Sequence, residues 1–229
     1  MNTFTSKYKT RLLLSLSVAS VLGFAYIWFL VTKPSRDAVK MINIVRQIRL
    51  QTSQEAVSEL VRKAGNPGHA RIFCGAELKP KSGQGGVSSP VSDEESSHCV
   101  YALEVSNVFQ AALGLSRPSY FLINIDLDRQ KVSRISVLSG IGAAESIAKI
   151  RIEEAPAEAI AVNAPSFSGD LFVARWNQTD GTPVKLKIYI KPGLDPTDRS
   201  RLYGINAACF SKIGGCRNAR ELLPIKEDL

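Results

Sequence analysis

From Leu12 to Val31 the chain runs for twenty residues without a charge. At about 1.5 Å of rise per residue this makes a helix of roughly 30 Å, the thickness of the hydrocarbon core of a bilayer. The pattern predicts one transmembrane helix over 12–31. Tyr26 and Trp28 lie toward its far end, where amphipathic rings suit a membrane interface, and Lys7, Lys9 and Arg11 precede it with no acidic residue among them. The rival reading is a cleaved signal peptide, for which Val18-Ala19-Ser20 is the candidate site. Cleavage there would leave the apolar stub Phe24 to Val31, so the span is expected to be retained. The short basic tail orients it, placing residues 1–11 in the cytoplasm and the rest outside.

Lys33-Pro34-Ser35 predicts a break in the helix. Residues 32–51 then form an amphipathic juxtamembrane helix, with Val39, Ile42, Ile44 or Val45, Ile48 and Leu50 at helical spacing among cations. Lys33, Arg36, Lys40, Arg46 and Arg49 are its lipid-facing basic residues, while its apolar face is expected to close onto the domain. Thr52-Ser53-Gln54-Glu55 reads as a capping box with Thr52 as the cap. The stripe Ala56, Val57, Leu60, Val61 and Ala64 follows, and Gly65 and Pro67 stop it.

Beyond this helix the period changes. Arg71 to Glu77 is a short strand, 78–98 a Ser/Gly/Pro-rich loop without apolar period, Cys99 to Val105 an alternating strand, and Ser106 to Leu115 a short helix. Tyr120 to Leu127 and Val132 to Leu138 flank Asp128-Arg129-Gln130-Lys131 as a hairpin. Ile147 to Ile152, Ala159 to Val162, Leu171 to Trp176 and Val184 to Ile190 are further strands. Asp195-Pro196-Thr197-Asp198 opens a last helix that turns Leu202, Ile205, Cys209 and Phe210 inward. The fold class is therefore α+β: one N-terminal transmembrane helix, then a domain over 52–229 with N-terminal helices, an antiparallel sheet and a C-terminal helix.

Charge changes the picture once it is located. The net charge of +8 resides almost wholly in residues 1–51, which carry +7, leaving +1 for residues 52–229. This is an anchor meeting anionic lipid headgroups, and the folded part has no basic stripe for nucleic acid. Cys74, Cys99, Cys209 and Cys216 all fall on the external side, where an even count reads as two disulfides. Three pairings are possible, and proximity favours Cys74 with Cys99 and Cys209 with Cys216. Four buried thiols, or a zinc site from Cys74, His98 and Cys99, are the alternatives. The zinc site lacks a Cys-x-x-Cys pair.

Candidate chemistry is sparse. Ser146-Ile147-Ala148-Lys149 has the spacing at which a lysine one helical turn away deprotonates a serine, and it defines the alternative of a membrane-anchored hydrolase. Gly140-Ile141-Gly142-Ala143-Ala144-Glu145 has Glu145 at the place of the third glycine of a dinucleotide loop, and reads instead as a turn after the hairpin. His69 and His98 fall in predicted loops, and Asp126 with Asp128 and Glu153 with Glu154 read as solvated acids. No catalytic, cofactor-binding or metal-binding set is expected.

Two resemblances add to this. The capped helix Thr52 to Gly65, ending Gly-Asn-Pro before antiparallel strands, makes residues 40–138 similar to the ααβββ plan of BamE-type envelope-assembly lipoproteins and of the β-lactamase-inhibitor-protein repeat. The lipoprotein cysteine is replaced here by the span. Over nearly the whole chain, the tail Cys209-Phe210-Ser211-Lys212-Ile213-Gly214-Gly215-Cys216, with Arg220-Glu221-Leu222-Leu223-Pro224, resembles uncharacterised bacterial single-pass membrane proteins. That resemblance implies a bacterial envelope setting and favours disulfides over free thiols. The expectation is a single-pass inner-membrane protein whose periplasmic domain binds an envelope protein or assists envelope assembly without catalysis. A lipid-surface or sensor module using the basic helix is a further alternative.

Overall fold

The computed structural model describes residues 3–74, 98–142, 147–163, 172–177 and 184–223. Helix α1, Thr3–Gln47, is continuous for 45 residues, about 68 Å of rod. Its apolar part is long enough to cross a membrane, with a mean hydropathy of 1.8 in a window of which 0% is buried. The break expected at Pro34 is absent. Proline removes the N–H that would reach the Leu30 carbonyl, but side-chain donors gather on that turn. Thr32 Oγ1 donates to the Trp28 carbonyl at 2.9 Å, Arg36 Nη2 to the Phe29 carbonyl at 3.2 Å, and Gln110 Nε2 to the Val31 carbonyl. The helix therefore runs out of the span directly into the domain.

There its far half packs. Ala38, Met41, Ile42, Ile44, Val45 and Ile48 are buried on the sheet, whereas residues 15–29 are exposed. Helix α2, Gln54–Lys63, is capped by Ser53, whose Oγ accepts from the Ala56 amide at 3.3 Å. Thr52, expected as the cap, instead accepts the Arg49 amide at 3.0 Å and closes the preceding turn.

The strands are β1 (His69–Cys74), β2 (His98–Ser106), β3 (Ser119–Asp128), β4 (Lys131–Ile141), β5 (Ala148–Glu154), β6 (Phe172–Asn177) and β7 (Val184–Ile190). The interposed helices are α3 (Val108–Ala112), α4 (Ala157–Asn163), α5 (Pro196–Leu202) and α6 (Ala219–Leu222), with a 3₁₀ turn at Ala207–Phe210. The sheet order is β1-β2-β3-β4-β5-β7-β6. Every pairing is antiparallel except β5 with β7.

Alternation puts Leu103, Ile123, Ile125, Val137, Ile150 and Ile188 on one face, fully buried under α1, α2 and the C-terminal helices. Ala157–Asn163 is a helix where a strand was expected. The run Ala-Glu-Ala-Ile-Ala is rich in helix formers, and the Pro156 carbonyl accepts from the Ala159 and Ile160 amides. At the β3–β4 turn Arg129 and Gln130 take φ of 47° and 62°. The turn is held against the α1–α2 link, since Gln54 N donates to the Gln130 carbonyl and Gln51 N to the Val132 carbonyl, each at 2.8 Å.

Candidate functional site

Three places combine polar groups, exposure or charge, and they do different work. The first is buried where α5 meets the last turn of α1. Asp195 caps α5 by accepting the Thr197 amide at 2.7 Å, which holds its carboxyl below the usual range. On this helix Arg199, Leu202 and Tyr203 share one face and are all buried. The Arg199 guanidinium contacts Glu154 Oε2 at 2.7 Å and donates to the carbonyls of Ile48 at 2.8 Å and of Val45 at 3.3 Å. Tyr203 Oη donates to the same carboxylate oxygen at 2.9 Å. Burial, and then the Glu154 charge, push the Tyr203 phenol well above its ordinary pKa. Arg49 at the rim is lowered, first by burial and then by Arg199. A cation thus closes the negative end of α1 and is itself neutralised, which makes this cluster a helix cap.

The second place is the edge of the sheet. Among the described residues β1 pairs only with β2, so its outer row of backbone groups faces outward beside α2. A cleft of about 610 Å³ lies between them, with Ser58, Val61, Arg62, Arg71, Ile72 and Tyr101 in its walls. Through Ser58 and Arg62 it continues into a shallower groove of about 360 Å³ that reaches Gln54, Glu55 and Gln130. Ser58 Oγ and Tyr101 Oη are hydrogen-bonded across the floor, and Ile72 is 46% exposed at the lip. Close approach shapes one end of this edge. A Cβ on Gly68 would meet the Glu104 carbonyl oxygen at 2.2 Å, so only glycine lets the chain enter β1 there.

The third place is where α1 meets the domain. Lys33, Arg36 and Lys40 are exposed there, Lys33 pairing with Asp37 at 2.8 Å and Arg36 lying over the Phe29 ring at 4.5 Å. Arg46 and Arg49 complete the set expected to face lipid. They are half-buried in the domain, and Arg46 lies about 22 Å along the helix beyond Val31.

The disulfides are Cys74–Cys99, between residues directly opposite on β1 and β2 with Cα atoms 4.1 Å apart, and Cys209–Cys216, which closes the turn after the 3₁₀ segment. His69 and His98 open β1 and β2, not loops, and lie at opposite ends of that pair. Asp126, Glu153 and Glu154, expected to be solvated, are buried and charge-paired. Arg134 contacts Asp126 at 2.5 Å, and Arg151 contacts Glu153 at 3.3 Å.

Lys149 lies in β5, where the helical spacing needed for a serine–lysine pair does not apply; Ser146 lies outside the described residues. Gly140 is a strand residue under the Tyr120 ring, where a Cβ would come within 2.4 Å of it. Among the described residues no group of three or more His, Cys, Asp or Glu is placed to hold a metal ion.

Neither Arg199 nor the β1 edge was singled out from sequence. The only signal for Arg199 is its i, i+3, i+4 relation to Leu202 and Tyr203. The edge position of β1 follows from strand order and leaves no local trace. The chain matches no protein-family model, no curated protein and no solved structure.

Proposed function

We propose that this is a single-pass protein of the bacterial inner membrane whose periplasmic domain binds an envelope protein through the β1 edge, without catalysis. The observation that carries the reading is the cleft itself: a strand edge, outermost among the described residues, running alongside a helix, with Val61, Ile72 and the Tyr101 ring in its walls. An extended segment of a partner would add to the sheet by main-chain hydrogen bonds and set alternate side chains against Val61, Ile72 and Tyr101. The anchor and the two disulfides suit an oxidising compartment on the far side of the membrane. The resemblance to bacterial single-pass proteins supports an envelope setting, and the similarity to assembly lipoproteins supports a role in assembly. A hydrolase built on Ser146 and Lys149 has no observation in its favour.

The test is a photocrosslinking amino acid at Arg71 or Ile72 of the full chain in native membranes, with Asp128 as the control position. The expected result is a discrete adduct with one envelope protein from the two β1 positions and not from Asp128. Identical, diffuse products from all three positions would remove the proposal.

A further inference from the structure

The domain has a second apolar surface, and it lies beside the end of the span. Val108, Phe109, Leu113, Leu115 and Ile213 are 67%, 43%, 53%, 37% and 80% exposed. Chain connectivity and hydrogen bonds join them into one face. The Leu115 amide donates to the Gln110 carbonyl at 2.9 Å, and the Gly214 amide, next to Ile213, donates to the Leu115 carbonyl at 2.7 Å. That face is fastened to the membrane helix. The buried Gln110 side chain donates to the carbonyl of Val31, the last residue of the apolar run, and Phe109 shares a small cavity with Leu30, Lys33 and Pro34.

The opposite end of the domain, at the Asp128–Lys131 turn, is bonded to Gln51 and Gln54, beyond the end of α1 at Gln47, which lies about 24 Å along the helix from Val31. The charge pattern agrees with the placement. Residues 108–118 and 211–217 contain Arg117, Lys212 and Arg217 and no Asp or Glu, and the one nearby carboxylate, Glu221, pairs with Lys212 at 3.4 Å and accepts the Arg217 amide at 3.2 Å.

We infer that α3, the turn after it and the Ser211–Gly215 turn rest in the headgroup and upper acyl region of the bilayer that α1 crosses. The contact is monotopic and fixes how the domain sits on the membrane. An α1 that ends its apolar run at Val31 delivers α3 to that depth, where exposed aliphatic and aromatic side chains enter the acyl boundary and flanking cations meet phosphate. The β1 cleft runs along α2 and meets this surface only at Gly68 and His69, which line both the cleft and the cavity at Phe109; Arg71 and Ile72 lie outside that overlap, so the two proposals are tested at different residues.

The test uses the full chain in phosphatidylethanolamine–phosphatidylglycerol vesicles doped with a diazirine-bearing phospholipid, with adducts mapped by mass spectrometry after illumination. Lipid adducts are expected on residues 108–115 and 211–215 at the level of residues 28–31, and about tenfold above those on the Asp128–Lys131 turn. Replacing Val108, Leu113 and Ile213 by Ser changes exposed side chains only. It should lower the adducts on these two segments to the level of that turn while those on the span stay unchanged. Lipid adducts confined to the span would overturn the inference. So would crosslinking of α3 to a second polypeptide in native membranes with no lipid adduct.

Discussion

Arg199 meets four acceptors, one carboxylate oxygen of Glu154 and the carbonyls of Val45, Arg46 and Ile48 at the end of α1, and shares only the Arg46 carbonyl with Arg49 Nη1 at 3.2 Å. Arg199 is 2% exposed and Glu154 4%, so removing either partner leaves a charge out of water without compensation. Arg199→Met should lower unfolding free energy by about 3–5 kcal/mol, read from denaturant titration of the full chain in micelles. The Glu154→Gln, Arg199→Met pair should cost less than the sum of the single changes, because the stranded carboxylate is gone. Tyr203 adds a pH dependence of known sign. Its folded pKa lies above the ordinary phenol value near 10, so its contribution is complete below pH 10. It is lost as pH rises toward the folded pKa, because the unfolded chain gives up the proton first. The loss has a limiting slope of about 1.4 kcal/mol per pH unit. Tyr203→Phe should cost about 1 kcal/mol at neutral pH and flatten the fall of stability between pH 10 and 11.5, measured by the same titration.

Among the elements, α1 shows what side-chain periodicity reveals and what it hides. The apolar run, the stripe Ile42, Val45, Ile48, the α2 stripe and the β3–β4 hairpin are legible because each presents one face to one environment over several turns or rungs. Pro34 misleads, since its local rule holds only where no donor from elsewhere reaches the loosened turn. Gln110 comes from 79 residues away, and no local pattern announces it. Residues 157–163 fail for a different reason. Ala-Ile-Ala-Val is too short to separate a strand from a helix by period, and Pro156 decides it. The cleft at β1 was illegible because being an edge is a property of the sheet order. If the proline turn is held together by these donors, Pro34→Ala should restore the missing bond to Leu30 and raise unfolding free energy by about 1–3 kcal/mol. Thermal unfolding in nanodiscs checks it; a fall in stability would mean that the turn depends on the proline ring.

At the scale of the whole molecule the domain has two ends. The registers put the strand ends near Ser106, Ser119, Ile141 and Ala148 on the side of α3, which is bonded to Val31, and the ends near Cys99 and Asp128 on the side bonded to Gln51 and Gln54. The disulfides are divided accordingly. Cys74–Cys99 closes a sequence separation of 25 at the far end, with Cys74 exposed. Cys209–Cys216 closes a separation of 7 within the core, at 0% and 1% exposure, beside the turn that carries Ile213. Loop-closure entropy assigns about 3.5 kcal/mol to the first and about 2.4 kcal/mol to the second. Access to an attacking thiolate, and not this entropy, orders their reduction, because a buried sulfur is reached only after local opening. Graded reduction followed by alkylation and mass mapping should therefore label Cys74 and Cys99 at reductant concentrations that leave Cys209 and Cys216 bonded. The second pair should open only in step with global unfolding, since the residues around it, Phe210, Ala219 and Leu222, belong to the same core as α1. Labelling of Cys209 and Cys216 first would show that the C-terminal turn opens on its own, and would detach the Ile213 surface from the rigid body that holds it beside the span.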